Sequence, residues 1–262
     1  MTHAAPIKAI LESRLIACVA SLPPTGEGHS LGLETTKEII SETRCPVLVF
    51  HAPLHFWPAR VFSWSFGDLC ESLLPKKYYV LANTSRARNA NEAVERALLS
   101  KRMFSDYPHR ADQTDLVIKL EVLDDRLNSI NSEVTCALDS LVCSHKMTVI
   151  PMFRPDIDAI RHCHDLGLEV VRVQTGRIGS MAGINDPGEL RELVFSSPLP
   201  LIFEGGLGNS EHVSFAFELG AGAVLLNTAF RRCSDPISLA RRIRAAADRA
   251  VPNRLIELKE FA

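Results

Sequence analysis

Val117-Ile118-Lys119-Leu120-Glu121-Val122-Leu123 sets two charges inside an otherwise apolar heptapeptide. Successive strand side chains point to opposite faces, so Lys119 and Glu121 share a face with Val117 and Leu123, while Ile118, Leu120 and Val122 form an all-apolar face. In a closed parallel barrel the apolar face meets the surrounding helices and the charged face looks inward. A lysine there is shielded from water, which disfavours its ammonium form and makes the amine nucleophilic toward a carbonyl. Schiff-base chemistry is one reading of the heptapeptide, and a structural Lys/Glu pair at a strand end is the other.

On either side of this segment, short apolar runs alternate with stretches of 3.6-residue period, the pattern of βα units and a parallel sheet. Strands are expected at 15–20, 46–51, 78–83, 117–123, 148–153, 168–174, 199–204 and 223–227. Helices are expected at 34–41, 91–104, 131–143, 156–166, 186–195, 210–219 and 235–250. Asp186-Pro187 and Asp235-Pro236 place a capping residue before a proline suited to the first helical turn, and Asn/Asp signals also lead into Asn91-Glu92. Gly167 and Gly220 stand where helices close in the left-handed conformation. Eight units fold most simply into a single (βα)8 TIM-type barrel over 1–262, with an open doubly wound sheet as the alternative because strand order is not written in the sequence. The stretch 53–77, with Trp57 and Trp64, fits this scheme poorly. It reads either as a lid or inserted loop, or as an apolar helix packed on the barrel.

Composition removes several function classes. The 262 residues carry 29 Lys+Arg against 31 Asp+Glu, a formal net charge of -2 with both signs interspersed, which offers no basic stripe for a nucleic acid. Seven cysteines, without a CxxC pair, argue against a disulfide framework and a four-thiolate zinc site. No apolar run approaches a membrane span and the first residues lack a leader pattern, so the expectation is a cytoplasmic protein with no metal, no cofactor and no membrane or nucleic-acid partner.

Glu204 ends the apolar run Leu201-Ile202-Phe203 and is followed by Gly205-Gly206-Leu207-Gly208-Asn209-Ser210. The glycines let backbone approach a ligand, and Asn209/Ser210 cap a helix whose N-terminus favours anions. The last strand ends in Asn227-Thr228, and Arg177-Ile178-Gly179-Ser180 supplies another small-residue turn. Loops after the seventh and eighth strands are the usual phosphate corner of such barrels, which suggests a phosphorylated small-molecule substrate.

Taken together, several segments resemble the thiazole synthase family: Ser13-Arg14-Leu15, Leu81-Ala82-Asn83-Thr84 with Asn91-Glu92-Ala93-Val94, Ile118-Lys119-Leu120-Glu121-Val122, Ile178-Gly179-Ser180, Gly205-Gly206-Leu207-Gly208, and Glu218-Leu219-Gly220-Ala221 running to Val224-Leu225-Leu226-Asn227-Thr228-Ala229. The resemblance spans about residues 7 to 250 and is dense after 78. It implies a (βα)8 barrel in which Lys119 forms an imine with 1-deoxy-D-xylulose 5-phosphate and Glu121 shuttles protons during tautomerisation. Glu204 would replace a family aspartate, and Gly179, Gly205, Gly206, Asn227 and Thr228 would contact the sugar phosphate. A small ubiquitin-like sulfur carrier protein and assembly into a homo-oligomer are also implied.

The chain departs from the family pattern around the mouth. Ala17-Cys18-Val19-Ala20 stands at a glycine-rich strand end, His51-Ala52 at a basic pair, Ser85-Arg86-Ala87 at Ala-Gly-Cys, and Arg172-Val173-Gln174-Thr175 at Met-Pro-Leu-Gly. Kept imine residues with altered mouth residues leave room for a relative that turns a hexose phosphate into a 2-thiosugar, and, in a different class, for a non-catalytic barrel used as a binding module.

Other features receive plain readings. His162, Cys163 and His164 point apart on a helix, and Pro53 separates His51 from His55. Cys18 and Cys45 read as small buried hydrophobes. Cys233, beside Arg231 and Arg232, is a thiol that neighbouring cations could activate for sulfur relay. Arg241, Arg242 and Arg244 read as a solvated face or a subunit contact.

Overall fold

The computed structural model describes residues 4–19, 31–50, 69, 72–73, 78–85, 87–105 and 116–250. Eight parallel strands lie among them: β1 (Leu15–Ala17), β2 (Val47–Phe50), β3 (Tyr79–Asn83), β4 (Val117–Leu120), β5 (Thr148–Phe153), β6 (Val171–Gln174), β7 (Leu201–Glu204) and β8 (Ala223–Leu226). The helices described are α1 (Ala4–Ser13), α2 (Leu33–Thr43), α3 (Ala90–Ser105), α4 (Asn131–Asp139), α5 (Ile157–Asp165), α6 (Pro187–Ser196), α7 (Ser210–Glu218), α8 (Thr228–Arg232) and α9 (Pro236–Arg249). The ladder runs β1-β8-β7-β6-β5-β4-β3-β2, each strand beside its sequence neighbour and β8 paired back to β1. A doubly wound sheet reverses its order partway, so this order excludes it and gives a nearly closed (βα)8 barrel.

Local chemistry accounts for the element boundaries. Asp186 accepts from the Glu189 amide at 2.9 Å and Asp235 from the Ser238 amide at 2.9 Å, with proline in the first turn of each helix. Asn89 caps α3 through the Glu92 amide at 2.9 Å. Gly167 and Gly220 close α5 and α7 with φ of 79° and 102°. The expected helix over 131–143 widens at its end, where Ser140–Ser144 form a π-helical turn. The expected strand over 117–123 stops at Leu120, because beyond it the Glu121 amide and carbonyl bond to the Thr84 hydroxyl, both at 2.9 Å.

The barrel interior and the layer under the helices form one apolar core in which Ile118, Phe153, Val173, Phe203 and Val224 are fully buried. At the seam, β1 and β2 stand side by side. The Ala17 amide donates to Cys45 Sγ at 3.3 Å and that thiol donates to the Val47 carbonyl at 3.2 Å. Arg244 of α9 spans the base of the seam, donating to the Ser13 carbonyl at 2.7 Å and the Thr43 carbonyl at 3.4 Å. This corrects the expectation of a solvated Arg244: its side chain is buried, with Asp248 at 2.7 Å, whereas Arg241 is exposed and pairs with Glu42.

Of the stretch 53–77, residues 69, 72 and 73 are described; Leu69 and Leu73 are buried in the core one helical turn apart. The remainder of the expected lid, with Trp57, Trp64 and His55, lies outside the described residues, as do His51 and Arg86. The six described cysteines form no disulfide with one another, and among the described residues no helix is long and apolar enough to cross a membrane.

Candidate active site

Four charged side chains meet at the C-terminal ends of β4, β6 and β7. Lys119 Nζ lies 2.9 Å from Glu121 Oε2 and 3.0 Å from Glu204 Oε1. Arg172 donates through one terminal nitrogen to Glu204 Oε2, and the same nitrogen stands 3.6 Å from Glu121 Oε2. Its other terminal nitrogen donates to the Leu120 carbonyl at 2.6 Å, and Nε to the Ile150 carbonyl at 3.3 Å. Lys119 and Arg172 are 2% and 1% exposed. The two cations and two anions sum to zero, which is how so much charge is tolerated without water.

Sequence reasoning brought Lys119, Glu121 and Glu204 to one place, and the structure unites them. It missed Arg172 as the fourth member. The signal was available, since Val171-Arg172-Val173-Gln174 alternates as the heptapeptide does, and Arg172 and Gln174 both face inward.

The expected electrostatics of Lys119 require correction. Burial and the Arg172 guanidinium disfavour its ammonium form, but the Glu121 and Glu204 carboxylates outweigh both and lift its pKa above the ordinary lysine value. The resting side chain is therefore an ammonium. Burial would raise the Glu121 carboxyl, yet Lys119 and Arg172, helped by hydrogen bonds from Lys119 and Ser85, bring it from 4.5 down to about 2.

A pocket holding about 560 Å³ of empty space, partly open to solvent, lies above the four charges. Lys119, Glu121 and Glu204 form its floor, and Gly179, Gly205, Gly206, Asn227 and Thr228 all line it, so every expected site residue borders the same cavity. Cys18, read both as a buried hydrophobe and as part of an altered mouth segment, is buried and lines the cavity, as do Asn83 and Ser85. The Asn227 carboxamide oxygen accepts from Arg231 Nε at 2.9 Å, fixing that side chain at the rim. Arg231 is itself buried and donates to the Val19 carbonyl at 2.8 Å; burial, opposed in part by Cys18, brings its pKa down to about 10.

The glycines have a structural reason beyond ligand approach. A Cβ on Gly206 would lie 2.0 Å from the Gly183 carbonyl oxygen, and one on Gly205 2.5 Å from that of Gly176; both residues hold positive φ. The loops after β6 and β7 therefore pack backbone to backbone, tied by the Gly183 amide to the Gly206 carbonyl at 2.8 Å. Gln174 fixes the loop after β4 in the same way, donating to the Leu127 carbonyl and accepting from the Ser129 amide. Cys233 lies outside the cavity lining and donates to the Asp235 carbonyl. Cys163 faces the core, its thiol pushed by burial up to about 12, while His162 turns outward to Asp139 at 2.7 Å.

Comparison with known proteins agrees with this geometry. The family profile described as Thiazole biosynthesis protein ThiG matches residues 60–255. Curated thiazole synthases from Bacillus cereus strains AH187 and G9842 are 33% and 32% identical over 189 residues, 72% of this chain and 70% of theirs. The crystal structure of the Amycolatopsis orientalis BexX/CysO complex is similar with a TM-score of 0.73 at 25% identity, covering 89% of this chain and 87% of that one. Thiamine phosphate pyrophosphorylase from Pyrococcus furiosus shares the fold alone, with a TM-score of 0.52 at 11% identity over 84% of this chain and 91% of that one.

Proposed function

Since the chain belongs to the thiazole synthase family, we propose that it is an enzyme that joins Lys119 to the carbonyl of a sugar phosphate and places sulfur on the resulting imine. The observation that carries this reading is a primary amine held within 3.0 Å of two carboxylates at the floor of the barrel's open end. The ammonium gives up a proton, its lone pair attacks the carbonyl carbon, and the carbinolamine loses water to form the imine. Glu121 moves protons between adjacent carbons during tautomerisation, and Glu204 faces the cationic intermediate from the opposite wall. Gly179, Gly205, Gly206, Asn227 and Thr228 receive the phosphate at the usual corner of the fold.

The substrate assigned is 1-deoxy-D-xylulose 5-phosphate, giving the thiazole phosphate of thiamin, because the curated relatives named above are thiazole synthases. Sulfur comes as a thiocarboxylate on a small carrier protein, a partner supported by the similar chain having been crystallised as the BexX/CysO complex. A hexose phosphate converted to a 2-thiosugar is the second reading. Cys18 and Ser85 favour it, since they set side chains into the cavity at positions where the family resemblance implies smaller residues.

Borohydride trapping on the purified protein, read by intact mass and peptide mapping, tests the proposal. A reduced adduct on Lys119 with the pentulose phosphate supports thiazole formation, and an adduct with glucose 6-phosphate alone moves the enzyme to thiosugar formation. A Lys119→Ala variant that binds either sugar phosphate like the wild type and alters no phenotype would favour a non-catalytic barrel.

A further inference from the structure

Lys119 has two carboxylates within hydrogen-bond reach, and their other partners differ. Glu204 splits its oxygens between Lys119 and Arg172, whereas Glu121 bonds Lys119 and stands 3.6 Å from the same guanidinium nitrogen. When the lysine becomes neutral, Glu204 keeps a hydrogen-bonded cation. Glu121 then keeps a more distant charge, its Ser85 hydrogen bond and a fully buried site. A desolvated carboxylate that has lost its main counter-ion takes up a proton, and one that retains its ion pair does not.

We propose that Arg172 is a positioning residue that divides the work of the two carboxylates, holding Glu204 in its own ion pair and leaving Glu121 to take the proton from Lys119. This rests on the Schiff-base reading for its role in turnover. Lys119 ammonium and Glu121 carboxylate become amine and carboxylic acid, the amine bonds to the carbonyl carbon as the C=O π pair moves to oxygen, and that oxygen takes the proton back from Glu121. Glu121 then carries a second proton from the carbinolamine nitrogen to the hydroxyl, which leaves as water as the protonated imine forms. Arg172 stays charged throughout, so no net charge enters or leaves the buried cluster when the proton moves.

Among the described residues, the charged and titratable groups acting on Lys119 are Glu121 on its own segment, Glu204 from β7, Arg172 from β6 and Cys18 from the end of β1. Arg172 is the one fixed cation in that set. Its forked contacts to the Leu120 and Ile150 carbonyls, with Met152 Sδ at 3.7 Å, hold it against β4 and β5 so that it cannot swing toward solvent.

Reductive methylation of the full-length protein with formaldehyde and cyanoborohydride tests this without a sugar, because formaldehyde must itself form an imine on Lys119. Labelling of the Lys119 peptide is followed by mass spectrometry across the neutral and alkaline range. Arg172→Met is expected to move the labelling midpoint upward by about one pH unit and to slow labelling about tenfold below it, since the ammonium loses its repelling neighbour. Arg172→Lys restores the charge and is expected to return the midpoint close to wild type. Because Glu121 also favours the Lys119 ammonium, rates of its variants are compared after correction for each variant's own midpoint. On that basis Glu121→Gln should slow labelling about tenfold or more in the wild-type background, and much less in the Arg172→Met background, where Glu204 is free to accept the proton.

An unshifted midpoint in Arg172→Met, or an equal shift in Arg172→Lys, overturns the proposal. If Arg172→Met fails to fold, the single variants decide: Glu121→Gln slows labelling and Glu204→Gln does not, and equal slowing refutes the division of work. Should these labelling results hold while neither sugar phosphate gives an adduct, the role of Arg172 stands and the substrate assignment falls.

Discussion

Glu121→Gln is expected to weaken the folded protein at neutral pH by about 3 kcal/mol. The carboxyl is fully buried, yet its folded pKa is brought down to about 2 from the ordinary 4.5, so the ionised form is better solvated by Lys119, Arg172 and Ser85 than by water. A difference of about 2.5 units at 1.36 kcal/mol each gives about 3 kcal/mol. Because the folded value is the lower one, this stabilisation is complete above about pH 4.5 and is lost as pH falls toward about 2, where the unfolded chain already holds the proton. Glutamine resembles the protonated acid in shape, so wild type and variant should converge in stability over that same interval. Urea denaturation followed by circular dichroism, on both proteins at neutral pH and at several acid values, measures the gap. A gap that stays constant with pH, or a variant as stable as wild type at neutral pH, would refute the claim that the cluster over-compensates burial.

Three further predictions concern two glycines and Glu204. Gly206→Ala forces a methyl group to 2.0 Å from the Gly183 carbonyl oxygen at a φ of +80°, so thermal unfolding should show a loss of about 2–4 kcal/mol with disruption of both loops. Gly32→Ala, where nothing lies within 4 Å, should be close to neutral in the same assay. Glu204→Asp keeps an anion between Lys119 and Arg172 and should retain appreciable turnover, whereas Glu204→Gln should lose it; equal loss in both, by steady-state assay, would assign Glu204 to packing.

Much of the fold was legible because its signals are local. Short apolar runs bounded by Asn, Asp and glycine located all eight strands, and the alternation through Lys119 and Glu121 placed both charges inside the barrel. What escaped depends on contacts distant in sequence. The charge state of Lys119 is set partly by Glu204, 85 residues away, so a lysine judged by burial alone is assigned the wrong direction. Helix α8 has five residues, too few to show a period. Arg244 looks like part of a basic surface stripe until its partners, two backbone carbonyls some 200 residues earlier in the chain, are known. Arg172 carried a readable local signal, but treating β6 as a mouth segment concealed that its side chain descends to the floor.

The clamp at the seam also bears on how the molecule assembles. Arg244 and Ser13 are 231 residues apart, and Arg14 reaches the Ala247 and Ala250 carbonyls over a similar span. Loops of that length are the slowest to close, and every local βα pairing from β3 to β8 can form before them. The wall that β1 contributes to the cavity, with Cys18 on it, is consequently among the last surfaces to dock. During synthesis the cluster of Lys119, Arg172, Glu121 and Glu204 can be in place while one side of the barrel is still open, and the cavity becomes enclosed only after α9 has emerged and folded back against the beginning of the chain.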